Sequence, residues 1–333
     1  MPEPAQLSTG KAPAASQARG SRASVSARRR LREWRRYWFR DPLLGAVNFV
    51  LLYGCRLLPL DWCSAVGAAV GILNGRYRFP GQRERARQGY LQLAAGDPTP
   101  EDAERATTRL FASTGRTMLE FAVLDRLWPA GRIAIEGAEH FVGARAGDRP
   151  VLVMALHLGN WEVIAPTMIA LLPGVKGAGF YMPPRNRFEH MMIVAARRRY
   201  GGTMFPPGIA GTRMAHRLLV EERGVLLVYA DDERKGHVSA PLFGRRLRPR
   251  ANIPTIIRLA WASGASVVPA YAERLGGGAR FRVTYLPAVE LAPAGDDPAA
   301  SLADNVARLD RVITPLVLAR LDQWYMLFDY TPD

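Results

Sequence analysis

Six consecutive apolar residues, 151–156, end in His157, and apolar character resumes at Val163 as a helix-like segment. The run is bounded by Asp148-Arg-Pro150 and does not alternate, so it fits a strand buried on both faces of a sheet. Gly159 and Asn160 let the backbone turn, and Asn160 suits an N-cap whose first helical turn contains Glu162. A carboxylate is favoured near a helix N-terminus. A base and a carboxylate therefore leave one strand-to-helix turn. A doubly buried strand needs layers on both sides, and 333 residues supply them as one extended α/β domain or two domains.

The rest of the chain has the matching rhythm. Extended segments are expected at 133–137, 174–181, 202–205, 225–230, 266–273 and 281–286, and helices at 138–146, 187–199, 209–222, 253–262 and 299–321. Thr99 before Pro100 reads as an N-cap with proline at the first helical position, opening a helix to about residue 127. Residues 76–97 are basic and helix-compatible. Strands alternating with helices predict an α/β class with a mostly parallel or mixed central sheet flanked by helices.

The N-terminal region differs. Residues 1–30 are rich in Ala, Ser, Pro, Gly and Arg and are expected to be a disordered tail, since they offer little apolar surface to offset ordering entropy. Between 28 and 40, arginines interleave with Trp34, Tyr37, Trp38 and Phe39, a mixture suited to nucleic acid or to a bilayer interface. Apolar stretches then fill 42–55 and 57–73, broken by Arg56, Pro59 and Asp61. A spanning helix needs about 20 apolar residues, so a monotopic or re-entrant helical membrane anchor is at least as good a reading as a span. The other reading is two buried helices, for which Gly67, Gly71 and the alanine-rich faces are suited. No cleavable signal peptide is recognised. The expected layout is a basic tail and interfacial segment at 1–40, membrane-associating helices at 41–75 and a catalytic domain at 76–333.

Hydrophobic residues make up 48% and charged residues 23%, which excludes bulk disorder and collagen-like chains. A net charge of +15 points to an acidic partner without choosing among nucleic acid, anionic membrane, phosphorylated lipid and acidic carrier protein. Cys55 and Cys63, the only cysteines, build neither a zinc pattern nor a disulfide framework, and suit a reducing cytosolic setting.

His157 lies where open α/β sheets bind ligands, and its ordinary pKa range suits proton transfer near neutrality. Glu162, one turn on, is expected to hold and charge the imidazole, the logic by which a base activates a hydroxyl. No serine or cysteine lies beside the pair, so the nucleophile is expected to come from the substrate. Arg185 and Arg197 to Arg199 either clamp a phosphate or form a solvated helix face. Asp231 and Asp232 follow another buried strand, and either face the same crevice, touching sugar hydroxyls or arginines, or make a solvated turn.

His157-Leu-Gly-Asn-Trp-Glu162 resembles the His-x4-Glu motif of the bacterial late acyltransferases of lipid A biosynthesis and their relatives that acylate phosphatidylinositol mannosides. The resemblance runs over about 43–330 and includes Tyr181-Met-Pro-Pro-Arg-Asn186, Arg197-Arg-Arg-Tyr-Gly201, Asp231-Asp-Glu-Arg-Lys-Gly236 with Pro241-Leu-Phe-Gly244, Gly264-Ala-Ser-Val-Val-Pro269 and Gln323-Trp-Tyr325. It implies a glycerolipid-acyltransferase-like fold and transfer of a fatty acyl group from acyl carrier protein or coenzyme A to a glycolipid hydroxyl. It also implies no metal or organic cofactor, no nucleic acid, and a place at the cytoplasmic face of the bacterial inner membrane. In this reading His157 and Glu162 are catalytic, while Asn160, Arg185, Arg197, Arg199, Asp231 and Asp232 are substrate-binding, and Trp161 either lines an acyl channel or packs. The chain departs from the family at Met182, where arginine is usual, in the compact Asp231-Asp-Glu233, and in the arginine-rich 245–252. Those departures leave the acceptor open, a lysophospholipid, phosphatidylinositol mannoside or aminolipid being alternatives. Lysophospholipid enzymes, however, typically carry aspartate at the position of Glu162. A non-enzymatic nucleic-acid-binding or membrane-scaffolding protein is the rival class, and lacks any recognisable nucleic-acid motif here.

Overall fold

The structure is a computed structural model and describes residues 29–331 apart from 235 and 247–250. The expected disordered tail therefore lies almost wholly outside the described residues. Helices α1 (Asp41–Arg56), α2 (Leu60–Leu73), α3 (Pro80–Leu93) and α4 (Pro100–Glu120) precede the sheet. Strands β1 (Ile133–Glu136) and β2 (Val151–Ala155) follow, then α5 (Ile164–Leu171), β3 (Gly177–Phe180), α6 (Arg187–Arg199), β4 (Met204–Phe205), α7 (Ile209–Val220) and β5 (Val225–Tyr229). After a small hairpin, β6 (Glu233–Arg234) and β7 (His237–Val238), come α8 (Asn252–Ser263), β8 (Ser266–Arg274), β9 (Phe281–Tyr285) and α9 (Pro298–Leu318).

The seven-stranded sheet has the order β1-β9-β8-β2-β5-β3-β4. Its neighbours run parallel except β8 and β9. The exception has a simple cause: residues 275–280 form only a short loop, whereas a parallel return needs a crossover of about a dozen residues or more. The α/β expectation thus holds, with a mixed sheet. Central β2 lies between β8 and β5, and its side chains alternate between two cores. Leu152, Met154 and Leu156 join one cluster with α7, α8 and α9, and Val151, Val153 and Ala155 join the other with α5 and the N-terminal helices. Both faces are covered, which is why the run is apolar at every position.

Thr99 caps α4 in a reciprocal capping box with Asp102. The helix stops at Glu120, short of the expected residue 127, because Val123 leaves helical geometry at φ −120°, ψ 13° and a new short turn, Leu124–Leu127, takes over. α2 crosses α4 at backbone contact distance. A Cβ on Gly71 would meet the Phe111 carbonyl oxygen at 2.1 Å, and one on Gly115 would meet that of Gly67 at 2.2 Å. Cys55, Leu60 and Cys63 share a buried cluster with β2 and β9, so the 41–75 segment helps build the domain core.

No helix among the described residues is long and apolar enough to cross a membrane. The segment expected to associate with a membrane is a pair of helices with one face packed and the other bare. Of α1, only Asp41, Gly45 and Cys55 are buried, while Leu43 and Val50 are more than 60% exposed. α1 is latched to α6 through Asn48 to Glu189 (3.1 Å), Asn186 to the Asp41 carbonyl (3.2 Å) and Arg187, which lies 3.7 Å over the Tyr37 ring and donates to the Tyr37 carbonyl.

Candidate active site

Parallel register brings the chemistry together. Ala155 of β2 pairs with Tyr229 of β5, so His157 and Asp231, each two residues beyond, leave the sheet side by side at the carboxyl ends of adjacent strands. His157 Nδ1 lies 2.9 Å from Asp231 Oδ1. The carboxylate also accepts the His157 backbone N–H at 3.1 and 2.9 Å and the Trp324 indole N–H at 2.9 Å. Asp231 is fully buried. Such a group is tolerable only when its oxygens are filled with donors, and hydrogen bonds to a charged partner contribute about 1.5–3 kcal/mol each. With a carboxylate as partner, Nδ1 carries the proton and Nε2 is left as the acceptor.

The partner expected for the imidazole was Glu162, and here the structure corrects the sequence reading. Glu162 turns instead to Arg197 of α6, accepting from Nη2 at 2.8 Å and Nε at 3.3 Å, while Asp231 holds the ring. The reason is the turn itself. Asn160 caps the short helical turn Trp161–Val163 by accepting the Glu162 backbone N–H at 3.2 Å, and this turn carries Glu162 to the α6 side. Burial works against the charge on Arg197, but the adjacent Glu162 carboxylate outweighs it and raises the guanidinium above its ordinary pKa. The guanidinium therefore keeps its charge. Arg197 Nη1 donates to the Met204 thioether sulfur at 3.6 Å, and the guanidinium lies 5.0 Å from the Tyr181 ring centroid.

Two aromatic rings pack against the imidazole. Tyr229 stacks on it at 4.1 Å between centroids, with its hydroxyl donating to the Trp161 carbonyl at 3.0 Å, and Trp161 meets it edge-on at 5.3 Å. Burial, then the Glu162 charge, lifts the Tyr229 phenol well above its ordinary pKa, so it is a neutral wall. Tyr325 donates its backbone N–H to the His157 carbonyl at 3.0 Å and packs on Trp161 at 5.1 Å.

Beside this cluster opens an apolar pocket of about 700 Å³, counting its mouth. Glu162, Arg197 and Tyr229 stand among its lining, with Met168, Leu172, Phe180 and Leu227 supplying apolar wall. Gly177 and Gly179 of β3 also border it, and the absence of side chains there keeps the wall open.

The other candidates are dispersed. Asp232 faces away: its carboxylate takes Arg234 Nε at 2.7 Å and the Asn252 backbone N–H at 3.1 Å, anchoring the β6–β7 hairpin to the start of α8. Arg199 leans on Tyr53 of α1, 3.4 Å from its hydroxyl, and Arg185 is exposed in the loop before α6. Asn160 is fully buried, with its amide donating to Glu120 at 2.8 Å, so it supports the turn from beneath. Trp324, Tyr325 and Tyr229 carried no assigned role in the sequence reading. Glu120 and Thr117 did leave a trace: 103, 106, 110, 113, 117 and 120 follow helical 3–4 spacing, which puts both polar residues on the buried face of α4.

A histidine with a buried carboxylate partner, stacked on a tyrosine that borders an apolar pocket, can activate a hydroxyl supplied by a substrate. The profile of the bacterial lipid A biosynthesis acyltransferases matches residues 32–329. The chain belongs to this family. It is an acyltransferase enzyme of the lipid A type, and the match takes in α1, the site and the C-terminal aromatic segment. No curated protein matches the chain significantly.

Proposed function

We propose that this protein moves a fatty acyl group from a thioester, carried on acyl carrier protein or coenzyme A, to a hydroxyl of a lipid A-type glycolipid, with His157 as general base. The observation that carries the reading is the His157–Asp231 pair, whose protonated Nδ1 leaves Nε2 as the acceptor on a ring stacked against Tyr229, which lines the apolar pocket. In the reaction, Nε2 takes the hydroxyl proton as the acceptor oxygen forms its bond to the thioester carbonyl carbon. The resulting oxyanion needs a donor at the site, a role that Arg197, a cation among the pocket's lining, can take. The C–S bond then breaks, and the imidazolium returns its proton to the leaving thiolate. Glu162 keeps the guanidinium in position, and the pocket takes the acyl chain. Direct assay tests this: purified protein, a lauroyl thioester on each carrier and a hydroxyacyl-bearing lipid A precursor should give a product heavier by one lauroyl group by mass spectrometry. An unchanged acceptor with both donors would overturn the reading.

The same proposal puts the enzyme on the cytoplasmic face of the bacterial inner membrane, where thioester donors and lipid acceptor meet. Its support is the bare outer face of the N-terminal helices, where Trp34, Trp38, Phe39, Leu43 and Val50 are at least half exposed among arginines. Aromatic rings at headgroup depth and guanidinium groups on phosphates suit such a surface. Deleting residues 1–75 would open the core, so the cleaner test is the triple variant Trp34→Ser, Trp38→Ser, Phe39→Ser. Flotation with anionic phospholipid vesicles should show at least about tenfold weaker binding, since each buried aromatic ring contributes about 1.5–3 kcal/mol. Binding equal to wild type would move the contact surface elsewhere.

A further inference from the structure

Behind the active-site turn lies a buried polar cluster that none of the reacting groups uses. Glu120, the last residue of α4, is fully buried and takes a two-pronged ion pair from Arg274 at the end of β8, with Nη1–Oε1 2.6 Å and Nη2–Oε2 2.7 Å. Its Oε2 also accepts Asn160 Nδ2 at 2.8 Å, and Asn160 Oδ1 accepts the Glu162 backbone N–H. Thr117, one turn earlier on α4, donates its hydroxyl to the Gly159 carbonyl at 3.0 Å. Gln323 ties the same parts together: its carbonyl accepts the Gly159 N–H at 3.1 Å and its side chain accepts the Arg274 N–H at 2.8 Å. Gly159 itself sits at φ +56°, where a Cβ would lie 2.7 Å from the Ala272 carbonyl oxygen, so the turn is pressed against β8.

Each end of the turn therefore has its own clamp. His157 is held by Asp231 and Tyr325, and Glu162 is held through Asn160 by a carboxylate on a different helix. A buried ion pair of this kind seldom stabilises a fold more than well-packed apolar residues would. What it does supply is a fixed location for the groups it bonds.

Resting on the acyl-transfer reading above, we propose that Glu120 and Arg274 are positioning residues: acting through Asn160 and Gly159, they set the distance between the His157 imidazole and the Glu162–Arg197 pair. The consequence is a separation of roles. Loss of the pair moves the turn and lowers kcat, while the pocket and the thioester affinity stay as they are.

The experiment uses the full chain. Glu120→Leu combined with Arg274→Met removes both charges and keeps apolar volume, which avoids the isolated buried charge of either single change. Thr117→Val, nearly the same shape without the hydroxyl, serves if the double variant does not fold. With a lauroyl thioester and a lipid A precursor, the double variant should lose about 10²-fold in kcat at a KM for the thioester within twofold of wild type, as expected for a misplacement of about 1 Å. Thr117→Val should lose about tenfold in the same parameter. In both, amide hydrogen exchange at residues 158–163 should accelerate at least tenfold while β2 and β5 keep their protection. Should wild type show no acyl transfer, the functional reading fails, and the exchange measurement alone decides the positioning claim. A folded double variant, or failing that Thr117→Val, with turn exchange and kcat both as in wild type would overturn it, as would a loss confined to KM.

Discussion

His157→Ala is expected to lower kcat for acyl transfer by about 10⁴-fold, the upper range for removal of a positioned general base. The ring carries a buried carboxylate on one nitrogen, keeps the other as an acceptor, and stacks on Tyr229 at the wall of the apolar pocket. Without it, the acceptor hydroxyl has to lose its proton to water. The fold should survive, because His157 is only part-buried and its backbone N–H and carbonyl contacts to Asp231 and Tyr325 do not need the ring. Initial rates, followed by mass spectrometry of the lipid product together with a thermal melt, check both halves. A folded variant within tenfold of wild type would exclude base catalysis by this residue.

Asp231→Asn should be nearly as damaging, about 10³- to 10⁴-fold in kcat, by a different route. The carboxylate accepts from three N–H donors, and an amide of the same shape must present a donor to at least one of them. If its NH2 faces Nδ1, the imidazole proton is forced to Nε2, the atom that has to accept the substrate proton; tautomer reversal of this kind costs about 10⁴ in a hydrolase triad. If the NH2 faces Trp324 instead, a buried indole N–H loses its acceptor, at about 1–3 kcal/mol of stability. Glu162→Gln leaves the Nδ1 contact intact and should cost less than Asp231→Asn. The rank order of the two variants therefore tests which carboxylate serves the imidazole, and a larger loss for Glu162→Gln would restore the assignment made from sequence.

The contrast between those two carboxylates shows how far local reading reaches. Glu162 was singled out because it is five residues from His157, and proximity in sequence is the only proximity a sequence displays. Asp231 is 74 residues away, and became the imidazole partner through the parallel register of β2 and β5. Its position after a buried strand did suggest the same crevice, but not its contact. Asn160 was likewise legible as a cap, which it is, whereas its bond to Glu120 depends on where α4 ends against the sheet. Gly67 and Gly71 marked close helix packing, and the crossing with Gly115 is what they allow. The apolar N-terminal stretch was the least decidable part, since a buried helix and an interfacial one share composition and differ only in which face finds a partner.

What the sequence determined by itself is what local chemistry and periodicity encode: an α/β fold, a strand buried on both faces, a capped turn carrying a histidine and a carboxylate, and the lack of an enzyme nucleophile beside them. What only the tertiary structure decided is which charged groups pair. His157 found Asp231, Glu162 found Arg197, and Glu120 found Arg274. The physical reason is that a buried charge is tolerated only where donors or a counter-charge converge on it. That convergence is set by strand register and helix placement across tens to hundreds of residues, quantities that no single stretch of chain carries.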